Sequence, residues 1–165
     1  MSDGGCLCGE VRYGVTGKAE SSLICHCVSC RRSTGAQSVA WLTFPSAGFS
    51  WLSGDPVEHR SSAEVRRTFC GRCGTSLTYR HDGDPDFIDV ATATLDHPDE
   101  FPPTRHVWLE TGSAGTKSTT GCRGSSGARR RSGIPVPRPL EARSNPALFS
   151  TIEAPPIRRV PRDEV

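Results

Sequence analysis

The chain has little from which to build a large hydrophobic core. Apolar residues fill 35% of its 165 positions, methionine occurs once and tyrosine twice. No apolar run approaches the roughly 18–20 residues of a membrane span, which argues against a membrane protein. The opening residues, Met1-Ser2-Asp3-Gly4-Gly5, lack the basic and apolar stretches of a secretory signal, so a cytoplasmic chain is expected. Neither sign of charge dominates. Lys+Arg number 20 against 18 Asp+Glu, a balance that points to neither a nucleic acid nor an acidic substrate. There is also no Ser/His/Asp triad and no general-base pair to suggest hydrolytic catalysis. What the chain does have is eight cysteines. Without an export signal these read as metal or redox chemistry rather than a disulfide framework.

The balanced totals conceal two unlike parts. Residues 111–165 hold 10 Lys+Arg and 4 Asp+Glu, so the remaining 110 residues are net acidic. The later part has 7 of the 13 prolines and a single aromatic, Phe149. It shows no apolar period of 2 or 3.6, and such a segment buries too little to offset its ordering entropy. The expected organisation is a working domain over 1–110 and a disordered basic tail over 111–165. The tail lacks the aromatic interleaving that base stacking requires, so nucleic acid is not expected as a partner.

Within 1–110 the pattern is β-like. Glu10 to Val15 and Ser38 to Phe44 alternate, Phe87 to Ala91 is an apolar run of strand length, and Val65 to Phe69 is a weaker one. Gly17, Gly54-Asp55-Pro56 and Asp82-Gly83-Asp84-Pro85 punctuate them. Only Cys27 to Thr34 reads as a short helical turn. The spacing predicts a mainly β domain of small antiparallel sheets, its loops fixed by something other than a large core.

Seven cysteines supply that something. They fall into Cys6-x-Cys8, Cys25-His26-Cys27-x-x-Cys30 and Cys70-x-x-Cys73. A C-x-C pair closes a ring too short for an unstrained disulfide. Thiolate-rich tetrahedral sites take zinc or iron–sulfur clusters, and no spacing here matches a ferredoxin pattern, so zinc is preferred. Two pairs, Cys6/Cys8 and Cys70/Cys73, close one site of four thiolates, a staple between distant segments. The remaining Cys25, Cys27 and Cys30 supply three ligands. That trio reads as a second zinc with an open, reactive position, or as a second structural zinc completed by His26 or another side chain. Neighbouring residues in an extended loop point to opposite sides, which argues against His26. Two zinc ions per chain are expected.

Three signatures together resemble a known family. They are Gly5-Cys6-Leu7-Cys8-Gly9, then Cys25 to Gly35, then Phe69-Cys70-Gly71-Arg72-Cys73-Gly74-Thr75, followed in order by Thr94-Leu95-Asp96 and Arg105 to Glu110. In this order they resemble the glutathione-dependent formaldehyde-activating enzyme family, whose domain is shared with centromere protein V. The resemblance implies a β-tent-like, zinc-stapled fold. It implies a structural zinc on Cys6, Cys8, Cys70 and Cys73, and a catalytic one on Cys25, Cys27 and Cys30. It further implies a carbon–sulfur lyase that joins formaldehyde and glutathione into S-hydroxymethylglutathione. A zinc-stabilised binding module, or a carbon–sulfur enzyme using another thiol, are the alternatives. Arg31, Arg32 and Arg72 are candidates to meet glutathione carboxylates, or ordinary surface arginines. His106 and Asp96 read as structural rather than catalytic. No acid or base residue and no oligomeric state is assigned.

The resemblance stops at Glu110, where family members continue with an acidic, Trp-containing stretch ending near Leu-Pro-Arg. Back-translating the residues from Thr111 to Gly124 with one G restored in front gives DRLGWDKVDDGLPR. A one-base deletion is therefore the expected origin of 111–165, with a natural extension as the alternative.

Overall fold

A computed structural model describes residues 2–113 and 123–124. Its strands, in chain order, are β1 (Ser2–Gly5), β2 (Arg12–Val15), β3 (Ser21–Cys25), β4 (Val39–Pro45), β5 (Phe49–Ser53), β6 (Val57–Ser62), β7 (Val65–Phe69), β8 (Ser76–His81), β9 (Phe87–Ala91), β10 (Arg105–Val107) and β11 (Arg123–Gly124). One α-helix, α1 (Val28–Thr34), follows β3. The expected mainly β architecture is therefore observed. Three strands form a sheet in the order β1-β2-β5, and eight form a second in the order β11-β10-β3-β4-β9-β8-β7-β6. Pairing is antiparallel except where β10 lies parallel to β3 and to β11.

Strand alternation gives the larger sheet two different faces. Val39 and Trp41 of β4 join Cys25, Cys30, Ala91 and Val107 in one buried cluster. Leu42 and Phe44 of the same strand join Cys6, Cys70, Tyr13, Leu77, Ile88 and Val90 in the other. Each cysteine group thus lies in its own core, with β4 contributing to both. The small sheet closes the second core through Val11, Tyr13 and Val15 on or beside β2, and Phe49 on β5. Tyr13 is wholly buried, and its hydroxyl meets Thr94 Oγ1 at 2.7 Å. Thr94 gives its own proton to the Ala91 carbonyl, so Tyr13 is the donor. Burial pushes the Tyr13 phenol up to about 12.

Leu42, also wholly buried, stands between Val90 on one neighbouring strand and Ser22 on the other. Leu42→Ala is expected to cost about 2–5 kcal/mol, the usual penalty for truncating a buried leucine. Urea denaturation should show it as a lowered midpoint with an unchanged slope.

The segment 111–165 is only partly within the described residues. Arg123–Gly124 pairs with β10 as the outermost strand, so that short stretch has regular structure where none was expected. Thr111, one residue past the expected boundary, accepts a hydrogen bond from Arg31 at its carbonyl, 2.9 Å. Cys122, Ile134, Leu140 and Phe149 lie outside the described residues. Among those described, no helix is long and apolar enough to cross a membrane.

Candidate functional site

The four-thiol group is built from two turns with similar endings. After Cys6-Leu7-Cys8 the chain reverses at Gly9, φ +75°, whose N–H bonds the Cys6 carbonyl at 3.1 Å. After Cys70 to Cys73 it reverses at Gly74, φ +76°, whose N–H bonds the Cys70 carbonyl at 2.9 Å. Both are left-handed positions that favour glycine. Thr75 ties the turns together. Its Oγ1 accepts from the Leu7 N–H at 3.1 Å and has its own proton for Cys73 Sγ at 3.2 Å. That hydrogen bond is the main reason the Cys73 thiol is drawn down, to about 5. Val11 N–H donates to Cys6 Sγ at 3.3 Å.

The four sulfurs all lie within 4.8 Å of one another. Cys6–Cys8 measures 3.5 Å and Cys8–Cys70 3.8 Å. A tetrahedral ion with metal–sulfur bonds of about 2.3 Å requires edges of about 3.8 Å, so the arrangement fits a metal. A disulfide would need about 2.05 Å, and all seven described cysteines are free.

The trio sits at the junction of β3 and α1. Cys25 ends β3, Cys27 is the N-cap of α1, and Cys30 lies in the first turn. Cys27 Sγ takes the place of a serine cap by accepting from the Cys30 N–H at 3.3 Å. The three sulfurs also lie within 4.8 Å of one another, and Cys25 and Cys30 are buried. Hydrogen bonds from Cys25, then Cys27, draw the Cys30 thiol down, and Arg67 adds to this. Cys25 is pushed up, because its proton is held between Cys27 and Cys30 and because it is buried. These groups, too, could hold a metal ion.

His26, the residue after β3, turns away from the sulfurs. Its Nε2 meets His106 Nδ1 at 2.8 Å, with both rings buried. Burial, then the neighbouring His106 and Arg31, hold His26 below its ordinary pKa. His106 therefore has a structural partner. So does Asp96, which takes two bonds from Arg12 at 2.8 and 2.5 Å; that guanidinium holds its carboxyl below the usual range.

The candidate arginines separate. Arg31 donates to the Thr111 carbonyl, Arg32 is exposed, and Arg72 belongs to the four-thiol turns, where it pairs with Glu10 at 3.2 Å. The residue that does reach the trio is Arg67, whose Nη2 lies 3.7 Å from Cys30 Sγ. Tyr79, Leu23 and Trp108 pack on the same cluster, beside Trp41. None of these was singled out from the sequence. The inward position of Arg67 in the alternation of β7 was the signal available. Trp108 is the one non-glycine at positive φ among the described residues, φ 59°. Its strained backbone, worth about 1–3 kcal/mol, turns the chain so that Thr111 Oγ1 reaches the His26 carbonyl at 3.3 Å.

The family model for glutathione-dependent formaldehyde-activating enzymes matches residues 1–111, which include both cysteine groups. The chain belongs to that family. The solved structure of a Rhodobacter sphaeroides protein is also similar, with a TM-score of 0.49 and 22% identity over 57% of this chain and 87% of that one. Family membership suggests glutathione-dependent formaldehyde activation, and the two groups of thiols are where this family member could bind metal.

Proposed function

We propose that this family member is a carbon–sulfur lyase that joins glutathione and formaldehyde into S-hydroxymethylglutathione, with zinc at both thiol groups and the reaction at Cys25, Cys27 and Cys30. The observation that carries the reading is the inequality of the groups. One gathers four sulfurs and the other three, with no fourth His, Cys, Asp or Glu ligand atom among the described residues. Four thiolates saturate zinc and make a staple, whereas three leave a position for a substrate.

Zinc bound by the trio would hold a thiol as its thiolate and polarise a small carbonyl. The chain's own part is to fix three sulfurs on one side of that position and to bury two of them. The reaction balances without a further reactant. The glutathione sulfur bonds to the formaldehyde carbon, the carbonyl π bond opens, and the oxygen takes up the proton the thiol lost. A negatively charged three-thiolate site suits a soft sulfur ligand better than strong Lewis-acid catalysis.

The test is the rate at which formaldehyde and thiol combine with and without the protein, followed by exchange NMR for glutathione, cysteine and 2-mercaptoethanol in turn. The expected result is acceleration with glutathione. Acceleration with another thiol alone reassigns the substrate. No acceleration with any of them, in protein carrying two zinc ions, leaves a zinc-stabilised binding module.

A further inference from the structure

Arg67 is a buried cation. It is 6% exposed, and among the described residues no acid lies within ion-pair distance of it. Other arginines of the domain pair with acids at or near the surface: Arg12 with Asp96, Arg66 with Asp82, Arg72 with Glu10. Arg67 instead lays its guanidinium 4.9 Å from the centre of the Tyr79 ring and donates Nε to Ser61 Oγ at 3.2 Å. Nη2 points to Cys30 Sγ, and Nη1 is buried with no hydrogen-bond partner among the described residues. A buried charge with no counter-ion is costly, so a fold that keeps one has a compensating charge beside it. The nearest such group is the sulfur of Cys30; Asp89 on β9, opposite Tyr79, accepts from Thr43 and lies beyond ion-pair distance of Arg67.

We propose that Arg67 is the built-in counter-charge of the trio and the residue that lets an anionic sulfur take the trio's fourth position. This rests on the reading that the trio holds a divalent metal with a thiol as its fourth ligand. Three thiolates and a divalent ion sum to −1, and a fourth thiolate brings the site to −2. Arg67 reduces these to 0 and −1. A neutral fourth ligand adds no charge, so Arg67 matters more for a thiolate than for a neutral donor. At a few ångströms and an intermediate dielectric, one such charge is worth roughly tenfold or more in affinity. Arg67 acts through the charge of the site and is a positioning residue.

The experiment uses the full chain loaded with cobalt(II), whose visible bands report the fourth ligand. 2-Mercaptoethanol, a thiol with no other charge, and imidazole, a neutral donor, are titrated into wild type, Arg67→Met and Arg67→Lys. In Arg67→Met the thiol should bind roughly tenfold or more weakly, with imidazole changed less than about threefold. Arg67→Lys keeps the charge but not the planar fork over Tyr79, so it should recover part of the thiol binding lost in Arg67→Met, with imidazole again changed less than about threefold. Equal thiol binding in wild type and Arg67→Met overturns the proposal. So does equal weakening of both ligands, which marks a merely structural arginine. If Arg67→Met does not fold, Arg67→Gln, which removes the charge but keeps a polar side chain, takes its place, and thiol binding equal to wild type there overturns the proposal. Wild-type bands indifferent to any thiol would instead overturn the open-position reading beneath it.

Discussion

Cys70→Ser is expected to leave the domain without a cooperative unfolding transition. Cys70 is 1% exposed and stands where β7 runs into the second turn of the four-thiol group. It belongs to the same core as Cys6, Val11 and Tyr13. Its sulfur is 3.8 Å from that of Cys8, a contact between residues 62 positions apart. With zinc bound as proposed, that contact is a cross-link between the first strands and the middle of the chain. A structural zinc contributes about 10–16 kcal/mol of apparent folding free energy. The net stability of a domain is only about 5–15 kcal/mol. Serine at 70 leaves three thiolates and puts a hydroxyl into the buried core, and losing even half of the zinc contribution is on the order of the whole net stability. Near-ultraviolet circular dichroism and a thermal scan would show it. A wild-type melting curve for Cys70→Ser would mean the four thiols are not a staple.

Cys27→Ser should behave in the opposite way. Cys27 is half-buried and caps α1 through its sulfur, which accepts the Cys30 N–H. Serine is among the best residues for that position, so the helix start survives the change. The site does not, because two sulfurs and a hydroxyl no longer offer zinc a three-thiolate bed. Metal content should fall from two ions per chain to one, with the melting temperature nearly kept. Turnover should fall by more than the roughly 10–100-fold that loss of an outer-shell partner costs. Elemental analysis and the formaldehyde–thiol assay on one preparation check both. Should Cys27→Ser unfold like Cys70→Ser, the trio is a second staple and the enzymatic reading loses its main support.

The metal-binding candidates were legible because their grouping is a local property. Cysteines two or three positions apart on tight turns face the same way whatever the rest of the chain does. The strands β4, β7 and β9 were legible for a related reason, since each carries its own run of apolar or alternating residues. β6 was not, because all its residues are exposed and no face of it is marked as apolar. β1, Ser-Asp-Gly-Gly, has almost no side chains to pattern. The surroundings of the trio were hidden more deeply. Arg67 faces Tyr79 across β7 and β8, and Trp41 faces Leu23 across β4 and β3. Such neighbours are set by the register between strands, which a single sequence does not state. Arg72 shows the converse. Its place beside Cys73 is plain in the sequence, yet that puts it with the four-thiol turns and with Glu10, away from the trio where it was a candidate to meet a glutathione carboxylate.

The parallel pairing of β10 with β3 has a consequence for how the molecule is made. On one side, β3 bonds the next strand to be synthesised. On the other it waits for residues as distant as His106 is from His26, 80 positions on. A nascent chain carries all four thiols of the staple once Cys73 has emerged, but the strand bearing Cys25 keeps an unsatisfied edge until Val107 follows. Contacts of such long range are slow to form, and a bare strand edge in the meantime is a template for pairing with another chain. The strand edge that closes last therefore belongs to the part proposed to do the chemistry, and an emerging chain has all four thiols of the proposed staple before it has the strand that completes the proposed reactive site.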